Sequence, residues 1–424
     1  MQNDTNTLPK WRKNDILWVL SLYGTAIGAG VLFLPINAGV GGLIPLLVIL
    51  VLAFPMTFYA HRALARFVLS GKNTNDDITV VAEESFGKTA GNWITILYFF
   101  AIYPILLVYS VGVTNTLLSF MQHQMYMDTL PPRWLISGVL VGILVLVSYL
   151  GENLVVKVMS VLVFPFIAVL MIVALFLIPY WNGAIFSEFS WSGSNMAGGS
   201  SILMTLWLVI PVMVFAFNHS PIISSLAVAK RKEYGDTYVD GKVSNIIAAS
   251  NIMMVVTVMF FVFSCAFTLT PMELAEAKAQ NISVLSYLAN KFDNPVVAYI
   301  GPVIAFIAMS KSFLGHYLGG KEGFNGIVNK ALASRNKTID QKKLNNIAAI
   351  TMFITAWIIA TLNPSILGMI ESLGGPILAI LLFLMPMYAI HKIPALAKYR
   401  GKISNAFIVV MGLIAISAAI YNLM

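Results

Sequence analysis

The sequence predicts an all-α integral membrane protein. Hydrophobic residues make up 58% of its 424 positions and charged residues only 10%, and the mean hydropathy is +0.83. Soluble domains carry about 25% charged residues, so too few charges remain here to cover a water-exposed surface. The apolar residues form continuous runs without the alternation of barrel strands, which predicts helices as the spanning elements.

Eleven apolar runs predict eleven transmembrane helices, because a helix needs about 20 residues to cross a hydrocarbon layer of about 30 Å. In chain order they are 16–37, 43–65, 93–120, 134–150, 155–178, 201–225, 244–268, 296–318, 345–362, 366–389 and 404–422. These runs divide the chain into an N-terminal tail (1–15), a five-helix set (16–178), a second five-helix set (201–389) and an extra helix (404–422).

The positive charges indicate the orientation. Of 26 Lys and Arg residues, 22 fall on the N-terminal side of the predicted membrane. Only Arg133, Lys278 and Lys291 fall on the other side, and Lys311 lies within a run. The positive-inside rule therefore predicts a cytoplasmic N-terminus and a periplasmic C-terminus. The net charge of +8 reflects this topology and attraction to anionic lipid, so we expect the bilayer and no nucleic acid as a partner.

Few of the segments between the runs are long. Segments 66–92 and 226–243 carry mixed charge and are expected to be solvated cytoplasmic connectors. His61 and Arg62 are expected to anchor the second run at the cytoplasmic surface. Segment 269–295 contains one apolar helical face, which fits either a lid over an opening or an interfacial helix. That face consists of Ile282, Leu285, Leu288 and Phe292.

Two of the runs contain helix-breaking residues. The first carries Gly24, Gly28, Gly30 and Pro35, and the sixth carries a polar cluster at 217–221 between two prolines. Glycine and GxxxG spacing also serve helix packing, so either run alone is ambiguous. Because the breaks fall in the first helix of each five-helix set, together they favour an inverted-repeat transporter. Unwound helix ends offer amides to a carboxylate and carbonyls to an ammonium, which suits an amino acid.

Ionisable residues within the runs are candidates for function, because each costs at least about 2.5 kcal/mol to insert. Lys311 is expected to lose a proton during the transport cycle, or alternatively to reach towards the inner interface. His219 is expected either to cap freed carbonyls, to contact substrate or to carry a proton. Glu371 is expected to gate the outer vestibule, pair with a cation or line the mouth. Tyr103 and Tyr109 are candidate side-chain contacts for substrate.

The sequence does not favour an enzyme, a channel or a sensor. It has no Walker loop, HExxH or GxSxG motif, and its single cysteine, Cys265, excludes thiolate metal sites. An intramembrane enzyme would need clustered acids or histidines, whereas the ionisable residues here are scattered. A sensor usually carries a soluble output domain, and no linker marks one. We therefore expect no catalytic residue, no metal and no cofactor.

Long motifs resemble those of the hydroxy and aromatic amino acid permease family. The central ones are YGTAIGAGVLFLP at 23–35, FNHSPIISS at 217–225 and KSFLGHYLG at 311–319. AEAKAQNI at 275–282 and NPSILG at 363–368 resemble its serine/threonine branch. The resemblance covers essentially the whole chain.

This resemblance implies proton-driven uptake of L-serine across a bacterial inner membrane. It also implies a leucine-transporter-type fold of two inverted five-helix repeats plus one helix, within the amino acid–polyamine–organocation superfamily. Threonine/serine symport and sodium coupling are the alternatives. The implied substrate carboxylate site is Gly28, Ala29 and Gly30, and the implied amine site is Phe217, Asn218, His219 and Ser220. Thr25, Tyr103 and Ser310 complete the predicted substrate contacts, and Lys311 and Glu371 are the predicted coupling residues.

Overall fold

A computed structural model describes residues 8–76, 78–150, 152–187, 202–292 and 294–423, although the side chains of 29, 152–163, 187, 419, 422 and 423 lie outside this description. Residues 1–7 of the predicted tail and residue 201 of the sixth run fall outside it too. The first seven helices are α1 (Lys13–Ala26), α2 (Ala29–Gly39), α3 (Leu43–Leu69), α4 (Ile78–His123), α5 (Arg133–Leu150), α6 (Glu152–Phe176) and α7 (Ala184–Ser187).

The second part of the chain is also helical. Its helices are α8 (Ile202–Ala216), α9 (Ile223–Thr268), α10 (Pro271–Ala279), α11 (Val284–Lys291), α12 (Pro295–Ala333), α13 (Gln341–Leu362), α14 (Ile366–Met369), α15 (Gly375–Ala379), α16 (Met385–Lys392) and α17 (Ile403–Leu423). Two π-helical turns, Ile370–Gly374 and Ile380–Leu384, connect α14, α15 and α16 into one rod. The prediction of an all-α protein is confirmed within the described residues.

The helices are long and apolar enough for a multi-pass membrane protein. Among the described residues, seven helical stretches could cross a membrane by length and composition, or eight if the bent pair α1–α2 is one span. One of the seven, Ile202–Thr268, is 67 residues long and includes the break between α8 and α9. Two shorter apolar helices, Phe164–Tyr180 and Ile403–Ala418, lie in the fifth and eleventh predicted runs.

Both predicted breaks are present. The first separates α1 from α2 at Ile27 and Gly28, where both residues are extended and the axis bends by 57°. The second leaves Phe217–His219 outside α8, and a 3₁₀ turn over Ser220–Ile222 then leads into α9. The helices continue through Pro35 and Pro211. The first break therefore lies at the glycine cluster rather than at Pro35, and the second lies at the polar cluster that ends in Pro221.

Segments 66–92 and 226–243, predicted as solvated connectors, are largely helical. Helix α3 continues to Leu69, α4 already begins at Ile78, and 223–268 is helical apart from a kink. The kinks are at Gly87 (φ 83°) and Gly235 (φ 64°), which adopt the left-handed conformation that glycine tolerates. Glu83, Glu84 and Lys88 are exposed, as predicted, whereas Lys230 and Lys242 are buried.

The segment between α9 and α12 contains two short helices, as the apolar face predicted. Thr270 caps α10 by accepting a hydrogen bond from the Glu273 amide at 3.2 Å. In α11, Leu285 and Leu288 are buried, and the helix packs on α12 and α2. Because these residues pack against protein, the structure fits the predicted lid better than the predicted interfacial helix.

Candidate functional site

The two breaks lie directly against each other. A Cβ atom added to Gly30, at the start of α2, would stand 2.7 Å from the Cα of Ala216, the last residue of α8. Real Cβ contacts are not this short, so only glycine permits this approach. The first turn of α2 and the last turn of α8 therefore meet at the centre of the molecule, where the sequence placed the site.

Lys311 reaches the first break from α12. Its Nζ donates to the carbonyl oxygens of Gly24 at 2.8 Å and Ile27 at 3.3 Å. The side chain is 2% exposed, and the nitrogen lies 5.9 Å from the centre of the Phe166 ring. Carbonyls at the end of α1 have no helical partners, and a buried ammonium group satisfies them. The alternative of a lysine reaching towards the inner interface is not what the structure shows.

Two hydroxyl groups line the same break. A Cβ atom on Gly28 would meet Ser312 Oγ at 2.5 Å and the Tyr109 hydroxyl at 3.2 Å. Tyr109 is buried and packs near the ring of His316 at 5.2 Å. The hydroxyl of Tyr103 instead hydrogen-bonds with Thr355 on α13. Of the two tyrosine candidates, Tyr109 is the one that the structure brings to the first break.

The second break is held by histidines. The backbone N–H of His219 donates to Nε2 of His61 at 3.2 Å, and the two imidazole rings stack with centroids 3.5 Å apart. His61 is 1% exposed, so the prediction that it anchors α3 at the membrane surface is wrong. Because α3 continues as far as Leu69, His61 lies two turns inside the helix. The adjacent His61–Arg62 pair was the sequence feature that led to this wrong prediction.

The remaining predicted substrate residues surround the two breaks. Thr25 Oγ1 donates to the Ser21 carbonyl at 2.8 Å, and Asn218 Oδ1 accepts from the Ser220 amide at 3.1 Å. Phe217 is buried, and its carbonyl contacts His219 Nδ1 at 3.0 Å. Ala29 contributes the first helical residue of α2, but its side chain is outside the description.

Two buried polar atoms near the breaks have no hydrogen-bond partner. They are Oγ of Ser310, adjacent to Lys311, and Nε2 of His219. An unpaired polar atom in a membrane protein interior is costly, so such atoms are candidates for ligand contacts. This observation supports Ser310 and His219 as site residues without identifying their ligands.

Glu371 lies in the first π-helical turn, beside the C-terminal end of α2 and away from the breaks. It is 5% exposed and accepts a hydrogen bond from Asn37 Nδ2 at 2.7 Å. Lys278 Nζ of α10 is 3.8 Å from the same carboxylate. The contact joins α2, the first π-helical turn and α10. Of the three predicted roles, pairing with a cation is therefore present, and the three-element contact supports a gate.

A charge network at the start of α1 went unpredicted. Asp15, at the start of α1, is fully buried and accepts from Lys230 Nζ at 2.6 Å and Lys242 Nζ at 3.2 Å. Tyr234 donates to the same carboxylate at 2.8 Å, and Lys230 also contacts Glu233 at 2.8 Å. All four of these residues lie in the segment 226–243, which was predicted to be solvated. No sequence signal pairs Asp15 with residues more than 200 positions away.

Comparison with known proteins gives consistent family matches. The model of the tryptophan/tyrosine permease family matches residues 12–421. The serine transporter SdaC of Escherichia coli K12 is 65% identical over 414 residues, covering 97% of this chain and 96% of that protein. The threonine/serine transporter TdcC of Escherichia fergusonii is 50% identical over 426 residues, covering 97% and 96%.

Solved structures with little sequence identity share the fold. A mutant of the manganese transporter of Eremococcus coleocola superposes with a TM-score of 0.63 at 13% identity, covering 99% of this chain and 90% of that one. MhsT in complex with L-phenylalanine gives a TM-score of 0.53 at 15% identity, covering 99% of both chains. At these identities the likeness shows the fold alone, and that fold is the leucine-transporter type expected from the sequence.

Proposed function

We propose a transport mechanism from the premise that this chain belongs to the tryptophan/tyrosine permease family. As a member it is an amino acid permease and not an enzyme. Our proposal is that it imports L-serine across the bacterial inner membrane together with a proton. The identity with a serine transporter supports the substrate, and the placement of Lys311 supports the coupling ion.

The substrate site in this proposal lies between the two breaks. The first amides of α2, at Ala29 and Gly30, lack helical acceptors and carry the positive end of the helix dipole, which suits a carboxylate. The carbonyls that end α8, together with Asn218 and Ser310, suit an ammonium group. The close approach of Gly28 to Ser312 and Tyr109 restricts the space, which favours a small amino acid. Thr25, Phe217, His219, Ser220 and Tyr103 remain predicted contacts.

Coupling in this proposal depends on Lys311, and its position is the observation that carries the proposal. Its Nζ lies on two carbonyls of a broken helix, where a coupling sodium ion would otherwise find oxygen ligands. An ammonium group there removes the need for sodium. Lys311 can release and regain its proton without leaving this position. A sodium ion could bind the same carbonyls only if the lysine side chain moved away.

Glu371 acts as the outer gate in this proposal, since its contacts close the space between α2 and α10. We infer eleven spans, with the first set at 16–178, the second at 201–389 and the extra helix at 404–422. The kink at Gly235 supports counting 202–234 and 236–268 as separate spans. The 22 positive charges on one side support a cytoplasmic N-terminus and a periplasmic C-terminus.

Purified protein in proteoliposomes tests the proposal. With an inward proton gradient and no sodium, we expect labelled L-serine to accumulate above its external concentration, and a protonophore should abolish the accumulation. Sodium-dependent accumulation that ignores the pH gradient would overturn proton coupling. Competition by L-threonine then ranks the two substrates, whose single methyl difference is worth only about 1–3 kcal/mol.

A further inference from the structure

His61 and His219 form a closed imidazole pair in the membrane interior. Their rings stack with an interplanar angle of 7°, and they are 1% and 0% exposed. One ring comes from the continuous helix α3 and the other from the break that precedes α9. The pair therefore connects an unbroken helix to a broken one.

The hydrogen bonds of His61 define its protonation state. Its Nδ1 lies 2.8 Å from the carbonyl oxygen of Thr57, which can only accept, so Nδ1 carries hydrogen. Its Nε2 lies 3.2 Å from the backbone nitrogen of His219, which can only donate, so Nε2 presents its lone pair. His61 is thus neutral, and the lone pair that would take a proton already holds the His219 amide.

Among the described residues, several charged side chains of α1, α3, α9 and α12 have partners other than the pair: Arg62 over the Phe58 ring, Arg66 with Asp240, Lys230 and Lys242 with Asp15, and Lys311 with Gly24 and Ile27. On α4, α16 and α17, Glu83, Glu84, Lys88, Tyr388, His391, Lys392 and Tyr421 are exposed. Tyr109 of α4 is buried, and its ring packs against that of His316 of α12 at 5.2 Å. The imidazole of His219 is the titratable group that faces His61 directly.

An alternative acceptor is already in place. Asn218 directly precedes His219 in the same break, and its Oδ1 accepts from the Ser220 amide at 3.1 Å. A carboxamide oxygen has two lone pairs, so it can accept a second hydrogen bond. The break thus contains a donor for the neutral ring, the His219 amide, and an acceptor that a protonated ring could use, Asn218 Oδ1.

We propose that His61 is a positioning residue through which one proton controls the break before α9. In its neutral form Nε2 accepts the N–H of His219 and fixes the break. A proton on Nε2 ends that hydrogen bond, since one lone pair cannot serve both, and the new N–H donates to Asn218 Oδ1. The His219 amide is then released, and the start of α9 is free to move against α3. This inference rests on the proposed proton-coupled function.

The variant His61→Gln tests this switch. A glutamine carbonyl can accept from the His219 amide but does not titrate, so the break stays fixed at every pH. The matched control is His391→Gln, because His391 is an exposed histidine at the end of α16. Monodisperse behaviour and an unchanged thermal midpoint are required of both variants, so that misfolding is recognised.

Hydrogen–deuterium exchange reads the switch directly. We expect the peptide covering 217–222 to lose protection in the unmodified protein as pH falls, after correction for the intrinsic pH dependence of exchange. In His61→Gln the protection should stay constant, and in His391→Gln it should follow the unmodified protein. Equal loss of protection in His61→Gln would overturn the proposal, as would constant protection in the unmodified protein.

Transport assays distinguish a failure of this inference from a failure of the proposed function on which it rests. We expect His61→Gln to exchange serine across the membrane at a rate that no longer changes with pH, and to accumulate serine from a proton gradient at least about tenfold less well. If the unmodified protein fails to respond to a proton gradient, the proposed function is wrong. If it responds and His61→Gln responds equally, only the role of His61 is wrong.

Discussion

The two helix breaks are stabilised in opposite ways. At the first break a side-chain donor, Lys311, serves the carbonyls that end α1. At the second a side-chain acceptor, His61, serves the amide of His219 that precedes α9. Each break leaves backbone groups without helical partners, and the chain supplies the complementary group in each case from a neighbouring unbroken helix.

The difference implies opposite responses to a proton. Loss of a proton from Lys311 turns charge-assisted hydrogen bonds into neutral ones and weakens the hold on the first break. Gain of a proton by His61 removes the acceptor and weakens the hold on the second. A proton that moves from one site to the other would therefore loosen both breaks together. The following predictions test each side of this comparison, from the largest expected effect to the smallest.

Replacing Lys311 should have the largest effect on coupling. Lys311→Met keeps the length of the side chain but removes the donor, so we expect gradient-driven accumulation of serine to fall about 100-fold while exchange continues. The measurement is uptake and counterflow in proteoliposomes. Lys330→Met is the matched control, because Lys330 also lies on α12 and donates to Thr95 at 2.9 Å in the last turn of that helix. Unchanged accumulation in Lys311→Met would remove this residue from coupling.

Asp15→Asn should give the largest loss of stability. Asp15 is the buried partner of Lys230 and Lys242, and removing one member of a buried ion network costs about 3–5 kcal/mol. We expect a clear fall in the thermal midpoint in detergent. Asp236→Asn is the control: its carboxylate is 77% exposed and pairs with Arg231, and such surface pairs are worth at most about 1 kcal/mol. Equal midpoints for the two variants would show that the network does not hold α1 to α9.

Gly28→Ala should weaken substrate binding at the first break. The added methyl group would lie 2.5 Å from Ser312 Oγ and 3.2 Å from the Tyr109 hydroxyl, so the hydroxyls must move away from the site. We expect KM for serine to rise about tenfold, which is about 1.4 kcal/mol. Gly142→Ala, whose Cβ would be 3.5 Å from Phe353, is the control in ordinary contact. A normal KM in Gly28→Ala would move the substrate away from this break.

Glu273→Gln should have the smallest effect, because it lies on α10 outside the breaks. Burial alone would raise the pKa of Glu273, but its hydrogen bonds with Lys291 and the Thr270 amide outweigh burial and hold that pKa below its usual value. The stabilisation is therefore present at neutral pH and is lost as pH falls through the lowered pKa. We expect a loss of at most about 1 kcal/mol at neutral pH.

A double-mutant cycle with Lys291→Gln isolates the contribution of the pair. Thermal midpoints of the unmodified protein and Glu273→Gln should converge in acid, where Glu273 is protonated. A difference that persists in acid would mean that the pair is not its source. Transport by Glu273→Gln should be unaffected, because α10 lies outside the two breaks.

The sequence predicted the helical architecture, both breaks and Lys311 as a functional candidate, but not the role of His61 at the second break. Gly28, the polar cluster at 217–221 and the isolated Lys311 are visible without coordinates, because broken helices and membrane charges are unusual in composition. His61 was missed because a histidine next to Arg62 resembles the end of a span, while the helix in fact continues. The roles of Asp15, Lys230 and Lys242 depend on pairing across distant parts of the chain. Periodicity and charge counts contain no information on such pairing.

The buried network around Asp15 also has a consequence for biogenesis. Asp15 is synthesised 215 residues before its partner Lys230. Until the start of α9 has been made, the carboxylate has no lysine partner, so the native contact between the starts of α1 and α9 cannot form. The order of translation therefore delays the native placement of the start of α1.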